Sequence, residues 1–273
     1  MKISAVCTDI DGTLLDSRRE LSQRTIEVFR KISHTIPVIL ASSRMPSAMR
    51  HLQHQLGITQ YPMICYNGGF LVQYKNEEST DVLASVGIAP ATGLDIFKLA
   101  HGTDIHVSIY RGHEWIAPRM DSWTDREETI TKVKSTVGDV GAILERWTAT
   151  GNELHKVMCM GPEEEIERME QQLREQLGSK IHIYRSRPTY LELAPKAVTK
   201  ATGLEVILQH YGIPLGEVLA FGDNYNDIEM LREAGVGVAV ANSREEVKSV
   251  ANEITLRSID DGVAISLEKY LLS

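Results

Sequence analysis

Both ends of the chain alternate short apolar runs with amphipathic segments, and this alternation limits the fold more than any other feature. Near the N-terminus "ISAVCT", "PVILAS" and "YPMICYN" read as buried strands. Between them, "SQRTIEVFRKIS" puts Ile26, Phe29 and Ile32 on one helical face behind Ser22 as N-cap. "PSAMRHLQHQLG" puts Met49, Leu52 and Leu56 in register, with Gly57 as its stop. Toward the C-terminus the style returns: helix "TKATGLEVILQHYG", strand "EVLAFGD", helix "NDIEMLREAG", strand "VGVAV", a short strand "EITL" and a closing helix "GVAISLEKYLL". Fully apolar strands spaced by amphipathic helices predict an α/β domain, a parallel sheet covered on both faces.

The middle has a different rhythm. "IHVSIY", "RG" and "HEWIA" suggest a hairpin of half-exposed strands, and "KVMCM" and "IHIYRS…YLELA" are similar. "PEEEIERMEQQLREQLG" is a helix with acids in its first turn and Ile166, Met169, Leu173 and Leu177 facing inward. The expected organisation is a doubly wound, Rossmann-like core formed by residues 1–82 and 190–273, interrupted by an α+β insert over residues 83–189. At 273 residues the chain is long enough for such a core and insert.

Composition narrows the function classes. A net charge of -8 and a pI near 5.6 argue against nucleic acid as a partner. Cys7, Cys65 and Cys159 each lie in an apolar run and read as buried thiols in a reducing compartment. No stretch approaches the ~20 apolar residues of a membrane helix, and no signal region follows the start, so the expectation is a cytoplasmic protein without a membrane partner, a monomer or homodimer.

Three apolar strands end in oxygen-bearing side chains. "AVCTD" ends at Asp9, with Asp11 and Gly12 following; "PVILASS" ends at Ser42 and Ser43; "VLAFGD" ends at Asp223, with Asp227 four residues on. Ligands bind outside the carboxyl ends of strands in an open parallel sheet, so neighbouring strands would gather these groups in one crevice. Two carboxylates about 5 Å apart at an effective dielectric near 20 repel by roughly 3 kcal/mol. A cation among them removes that cost, and oxygen ligands without His or Cys favour Mg2+.

In order and composition, "DIDGTLLDS", "ASSR", "APKAVTKATGL" and "GDNYNDIEML" resemble the motifs of the haloacid dehalogenase-like hydrolase superfamily, most closely its Cof-type sugar-phosphatase subfamily. "YNGG" and "DDGVAISLEKYL" also look like family sequence. The resemblance implies a Mg2+-dependent phosphatase working through an aspartyl-phosphate. Asp9 would be the nucleophile and Asp11 the general acid and base. Asp9, the Asp11 carbonyl and Asp223 would hold the metal. Ser42 and Lys200 would bind the phosphate oxygens, Asn226 the phosphate or a water of the metal, and Asp227 would orient Lys200 or such a water. Gly12 would permit the turn that carries Asp11. Lys200 is preferred to Lys196 for its place in "VTKATGL". Ser42-Ser43-Arg44 stands where the family has Thr-Gly-Arg, which keeps the hydroxyl but replaces a glycine beside the phosphate.

The insert would then be a cap that covers the crevice and supplies substrate contacts. The candidates for touching substrate are Arg44 and Asn67, which the family pattern supports, with His113, Trp115, Arg185 and Tyr190. The expected substrate is a small phosphorylated metabolite, a sugar phosphate first. The alternative is a cofactor-precursor phosphate of flavin or pyridoxal type, with a phosphomutase or phosphotransferase nearby in chemistry. A rival of another class is a receiver-like signalling domain, whose phosphorylated Asp also uses Mg2+, a hydroxyl and a Lys. The long insert and "GDNYND" speak against it.

Overall fold

A computed structural model describes residues 2–77 and 79–272, and the chain divides into two compact units, 1–84 with 198–273 and 85–197. In chain order the first unit opens with β1 (Ala5–Thr8), α1 (Gln23–Ile32), β2 (Val38–Ala41), α2 (Ser47–Leu56), β3 (Met63–Cys65), β4 (Phe70–Tyr74) and β5 (Thr80–Ser85). The second unit holds α3 (Pro90–Leu99), β6 (His106–Arg111), β7 (Glu114–Ala117), α4 (Ser122–Thr131), β8 (Thr136–Val137), α5 (Val140–Thr150), β9 (Lys156–Met160), α6 (Glu163–Leu177), β10 (Ile181–Arg187) and β11 (Tyr190–Pro195). The first unit then resumes with α7 (Lys200–Tyr211), β12 (Val218–Gly222), α8 (Ile228–Glu233), β13 (Val236–Val240), α9 (Glu245–Lys248), β14 (Glu253–Thr255) and α10 (Gly262–Leu267).

The first unit is a sheet in the order β14-β13-β12-β1-β2-β3-β4-β5. The six strands from β14 to β3 run parallel, and β4 pairs antiparallel with β3. The chain winds outward from β1 through β2 to β3, and later from β12 through β13 to β14, so the winding reverses between β1 and β12. That reversal is the switch point at which doubly wound sheets take their ligands. Every residue of β1, β2, β12 and β13 is buried, as a sheet covered on both faces requires. Ala5, Cys7, Ile39 and Ala220 pack with Leu204, Ile207 and Leu208 of α7 and Met230 and Leu231 of α8. α1 packs against α2 and α10. Ser22 caps α1 by accepting from the Thr25 amide, and Arg30 and Lys31 in its last turn oppose the helix dipole.

The second unit is a sheet in the order β10-β11-β9-β6-β7-β8, antiparallel except for the short β7–β8 pair. Val107, Ile109, Val157, Cys159, Leu191 and Leu193 share one core with Ile96 of α3, Leu144 and Trp147 of α5, and Ile166, Met169 and Leu173 of α6. The second boundary lies eight residues beyond the expected 190, because Tyr190–Pro195 pairs with β9 and β10 and belongs to this sheet. The cysteines are free and buried. Among the described residues no helix is long and apolar enough to cross a membrane.

Candidate active site

The register of the first sheet places the site. Thr8 sits opposite Leu40 on β2 and Phe221 on β12, so Asp9, Ser42 and Asp223 all emerge at the carboxyl ends of three adjacent strands. Gly12 adopts φ +85°, and a Cβ there would lie 2.5 Å from Asp223 Oδ2. A side chain is thus excluded both by backbone conformation and by the approach of the carboxylate. Gly222 is restricted by contact alone, since a Cβ there would collide with the Asp227 side chain.

Carboxylate oxygens of Asp9, Asp223 and Asp227 come within 4.8 Å of one another. Their hydrogen bonds separate them into two kinds. Asp227, fully buried, accepts from Lys200 Nζ on Oδ1 at 2.7 Å and from the amides of Asp223 and Asn224 on Oδ2 at 2.9 and 3.0 Å. It is committed to shaping the loop and holding the lysine. Asp9 accepts from Lys200 Nζ on Oδ1 at 2.5 Å, while its buried Oδ2 has no hydrogen-bond partner. Asp223 accepts from Thr13 Oγ1 at 3.0 Å. A buried, unpartnered carboxylate oxygen beside a second carboxylate fits a hard divalent cation, and the all-oxygen donor set fits Mg2+.

Burial and mutual repulsion act together on these acids. Burial raises the Asp9 carboxyl well above the usual carboxylate range, and Asp227 and Asp223 push it further against the pull of Lys200. Asp223 is pushed up to about 6 by burial and then by Asp227. Burial disfavours the Lys200 ammonium, but Asp227 and Asp9 outweigh it and hold the lysine charged. Lys200 is the first residue of α7, set there by the Thr199–Thr202 capping box. Lys196 lies in the second unit, is exposed, and donates to the Gly178 carbonyl at 2.5 Å.

Asp11 has different company. Arg44, 7% exposed, forks onto it with Nε to Oδ2 at 2.7 Å and Nη2 to Oδ1 at 2.8 Å, and Arg19 Nη1 reaches Oδ1 at 3.3 Å. Burial would raise Asp11, yet the Arg44 hydrogen bonds and the charges of Arg44 and Arg19 prevail and lower it. Arg44 also donates to the Ala48 carbonyl, and its amide donates to Ser42 Oγ at 3.2 Å. Ser42 is buried, Ser43 half-buried beside it. The Asn67 amide donates to the Ser42 carbonyl, and Asn67 Oδ1 accepts from Asn226 Nδ2 at 2.9 Å. Tyr66 and Asn67 both take left-handed φ values of 51° and 56°, a strained pair of the kind found at ligand clamps.

Eleven of the sequence candidates thus stand in the first unit: Asp9, Asp11, Gly12, Ser42, Ser43, Arg44, Asn67, Lys200, Asp223, Asn226 and Asp227. His113, Trp115, Arg185 and Tyr190 stand in the second. Trp115 is buried and stacked on Tyr110 with centroids 5.6 Å apart. Arg185 faces Glu163 and Glu170 of α6 and donates to the Pro188 carbonyl, a structural tie. The Tyr190 ring meets Trp123 edge-on and lies under Arg126 and Arg187, and His113 is exposed on the β6–β7 turn. Thr13 and Arg19 also stand at the site: Thr13 is the last residue of "DIDGT" but is not among the sequence candidates, and Arg19, six residues on, carries no sequence signal of its own.

Residues 6–267 match the model of the haloacid dehalogenase-like hydrolase family. The fold is similar to a solved haloacid dehalogenase-like hydrolase from Bacteroides thetaiotaomicron, with TM-score 0.86 and 30% identity over 98% of this chain and 99% of that one. Two Bacillus subtilis proteins, YitU and YcsE, each named 5-amino-6-(5-phospho-D-ribitylamino)uracil phosphatase, are 28% and 27% identical. They cover 97% and 99% of this chain, which spans 96% of each of them. A family match over nearly the whole length, joined to a carboxylate cluster at the sheet's switch point, identifies the chain as a member of the haloacid dehalogenase-like hydrolase family, a phosphoric monoester hydrolase of the Cof type.

Proposed function

We propose that the protein hydrolyses the phosphate ester of a small cofactor precursor carrying a heterocyclic ring, of the flavin type, through an aspartyl-phosphate on Asp9. The sugar-phosphate expectation yields to its alternative here. The observation that carries the substrate class is the name shared by the two Bacillus subtilis relatives, each aligned over almost all of this chain.

The chemistry follows from how the Asp9 carboxylate is held. Its buried, unpartnered Oδ2 is the oxygen left for the cation, Lys200 on Oδ1 sets the plane of the group, and the carboxylate so oriented attacks phosphorus. The bond from phosphorus to the leaving oxygen breaks, and Asp11 gives that oxygen its proton. Asp11, then a carboxylate, takes a proton from water; the water oxygen attacks phosphorus, and inorganic phosphate and free Asp9 result. Ser42 and Lys200 hold the non-bridging oxygens as charge moves onto them. Asp227 and Asn226 act by position, the first through Lys200 and the second through Asn67. A Mg2+ ion held by Asp9, Asp223 and the Asp11 carbonyl would supply the positive charge that lets the phosphate approach these acids.

Arg44 and Arg19 hold Asp11 as a carboxylate at rest, which suits the base half of this cycle. The acid half therefore requires the Arg44 fork to loosen as substrate enters. The substrate proposal is tested by steady-state phosphate release with Mg2+ across 5-amino-6-(5-phospho-D-ribitylamino)uracil, flavin mononucleotide, pyridoxal phosphate and hexose phosphates. The expected result is a kcat/KM for a ring-bearing substrate at least about tenfold above any hexose phosphate; hexose phosphates in the lead would overturn it.

A further inference from the structure

We infer that Arg19 is a specificity residue that recognises a second anionic group on the substrate, carried by the leaving group rather than by the phosphoryl being transferred. This rests on the phosphatase reading of the site and on Asp11 serving the leaving oxygen.

Two guanidinium groups share the Asp11 carboxylate, and they are unequal. Arg44 is buried, makes two bonds of 2.7 and 2.8 Å to Asp11, and is braced by the Ala48 carbonyl. That fork alone satisfies the carboxylate. Arg19 is 35% exposed and adds one bond of 3.3 Å, longer than the ~2.7–2.9 Å of a good charged hydrogen bond. It is the weaker of the two partners of Asp11, and most of its five N–H donors are uncommitted by that contact.

Its placement is nonetheless built. Arg19 takes φ +62°, a left-handed conformation that a residue with a side chain avoids unless its surroundings impose it. Asp16 enforces it: Asp16 Oδ1 accepts from the amides of Arg18 and Glu20, the Asp16 carbonyl accepts from the Arg19 amide, and the Asp16 amide donates to the Glu20 carbonyl. The acids of this turn do not neutralise Arg19, because Asp16 and Glu20 both pair with Arg18.

Charge pairing singles out the same residue. Lys200 pairs with Asp9 and Asp227, and Arg44 with Asp11. Arg19 is a further positive charge beside Asp11, and Asp11 is the one acid it pairs with among the described residues. Because Asp11 faces the leaving oxygen, a cation on the exposed side of Asp11 stands beside the leaving group. An anion there, a carboxylate or a second phosphate, is the ligand its donors fit.

The test compares 4-carboxyphenyl phosphate with 4-carbamoylphenyl phosphate, its neutral isostere, on the wild-type protein, Arg19→Met and Arg19→Lys, with Mg2+ present. The wild type should prefer the carboxylate in kcat/KM by about tenfold, mainly through KM. Arg19→Met should erase the preference and Arg19→Lys should keep part of it, whatever their absolute rates. No preference in the wild type, or a preference that survives in Arg19→Met, would overturn the inference. Both probes carry the same ring, so failure of the heterocyclic-substrate reading leaves this result standing, whereas turnover of neither probe would remove the phosphatase reading and this inference together.

Discussion

Two buried polar clusters, one in each unit, are built in opposite ways. In the second, His106 is fully buried between Asp121 Oδ2 at 2.8 Å and Ser108 Oγ at 2.9 Å, and Asp121 also caps α4 through the amides of Trp123 and Thr124. His155 accepts from the Gly112 amide on Nδ1 and pairs with Ser85 Oγ through Nε2. These are closed circuits in which each ring nitrogen is matched, and they join a strand to a helix or a turn. In the first unit, three carboxylates converge and one buried oxygen, Asp9 Oδ2, is left without a hydrogen bond. A buried polar atom left open costs about 1–3 kcal/mol, more when charged. Satisfied networks serve the fold, and the open charged one marks the place where a ligand completes the structure.

Asp9→Asn breaks the open cluster with the largest effect. It should lower turnover by at least about 10^3-fold while leaving circular dichroism and the thermal midpoint within a few degrees of wild type, because the amide still accepts from Lys200. Retained turnover would remove Asp9 from the chemistry.

Lys200→Met separates function from fold less cleanly. It deprives Asp9 and Asp227 of the cation between them, and losing one member of a buried ion network costs about 3–5 kcal/mol. The denaturant midpoint without divalent ions should therefore drop sharply, and activity with it. An unchanged midpoint would mean that the ion pairs of Lys200 do not hold the folded cluster together.

Mg2+ should restore what the open oxygen lacks. Added to chelator-treated protein, it should raise the melting temperature progressively with concentration, and Asp223→Asn should suppress the rise. The same shift in Asp223→Asn would place the ion elsewhere.

The closed circuits predict a pH effect of the opposite origin. Burial, with help from the Arg111 charge, pushes the His155 pKa down from 6.5 to about 4. The unfolded chain therefore binds the extra proton across that window, so this contribution is intact above pH 6.5 and is lost as pH falls toward 4. It amounts to about 3 kcal/mol at full loss. His155→Gln should flatten the acid limb of the second unit's unfolding curve, and an unaltered limb would exclude His155 as its cause.

The sequence carries the open site better than the closed circuits. Asp9, Ser42 and Asp223 follow uninterrupted apolar strands, so their shared end of the sheet is legible from pattern alone. Arg19 is not, because its reach to Asp11 depends on a left-handed φ enforced by Asp16. α4, "SWTDREETIT", has almost no apolar stripe and is anchored by its Asp121 cap, so periodicity does not reveal it. α3 carries Thr92 and Gly93 in its interior, weak helix formers tolerated where Gly93 packs closely against Leu154. Tyr190–Pro195 reads correctly as a strand, but alternation does not say which sheet receives it, and the expected boundary falls eight residues early for that reason.

The central claim is that the carboxylate of Asp9 receives the phosphoryl group. Rapid-quench turnover followed by borohydride reduction converts an acyl phosphate to an alcohol, and peptide mapping then locates it. The account predicts homoserine at position 9 and at no other acidic residue. Position 9 recovered as unmodified aspartate under conditions of turnover, or reduction at another carboxylate, would contradict it.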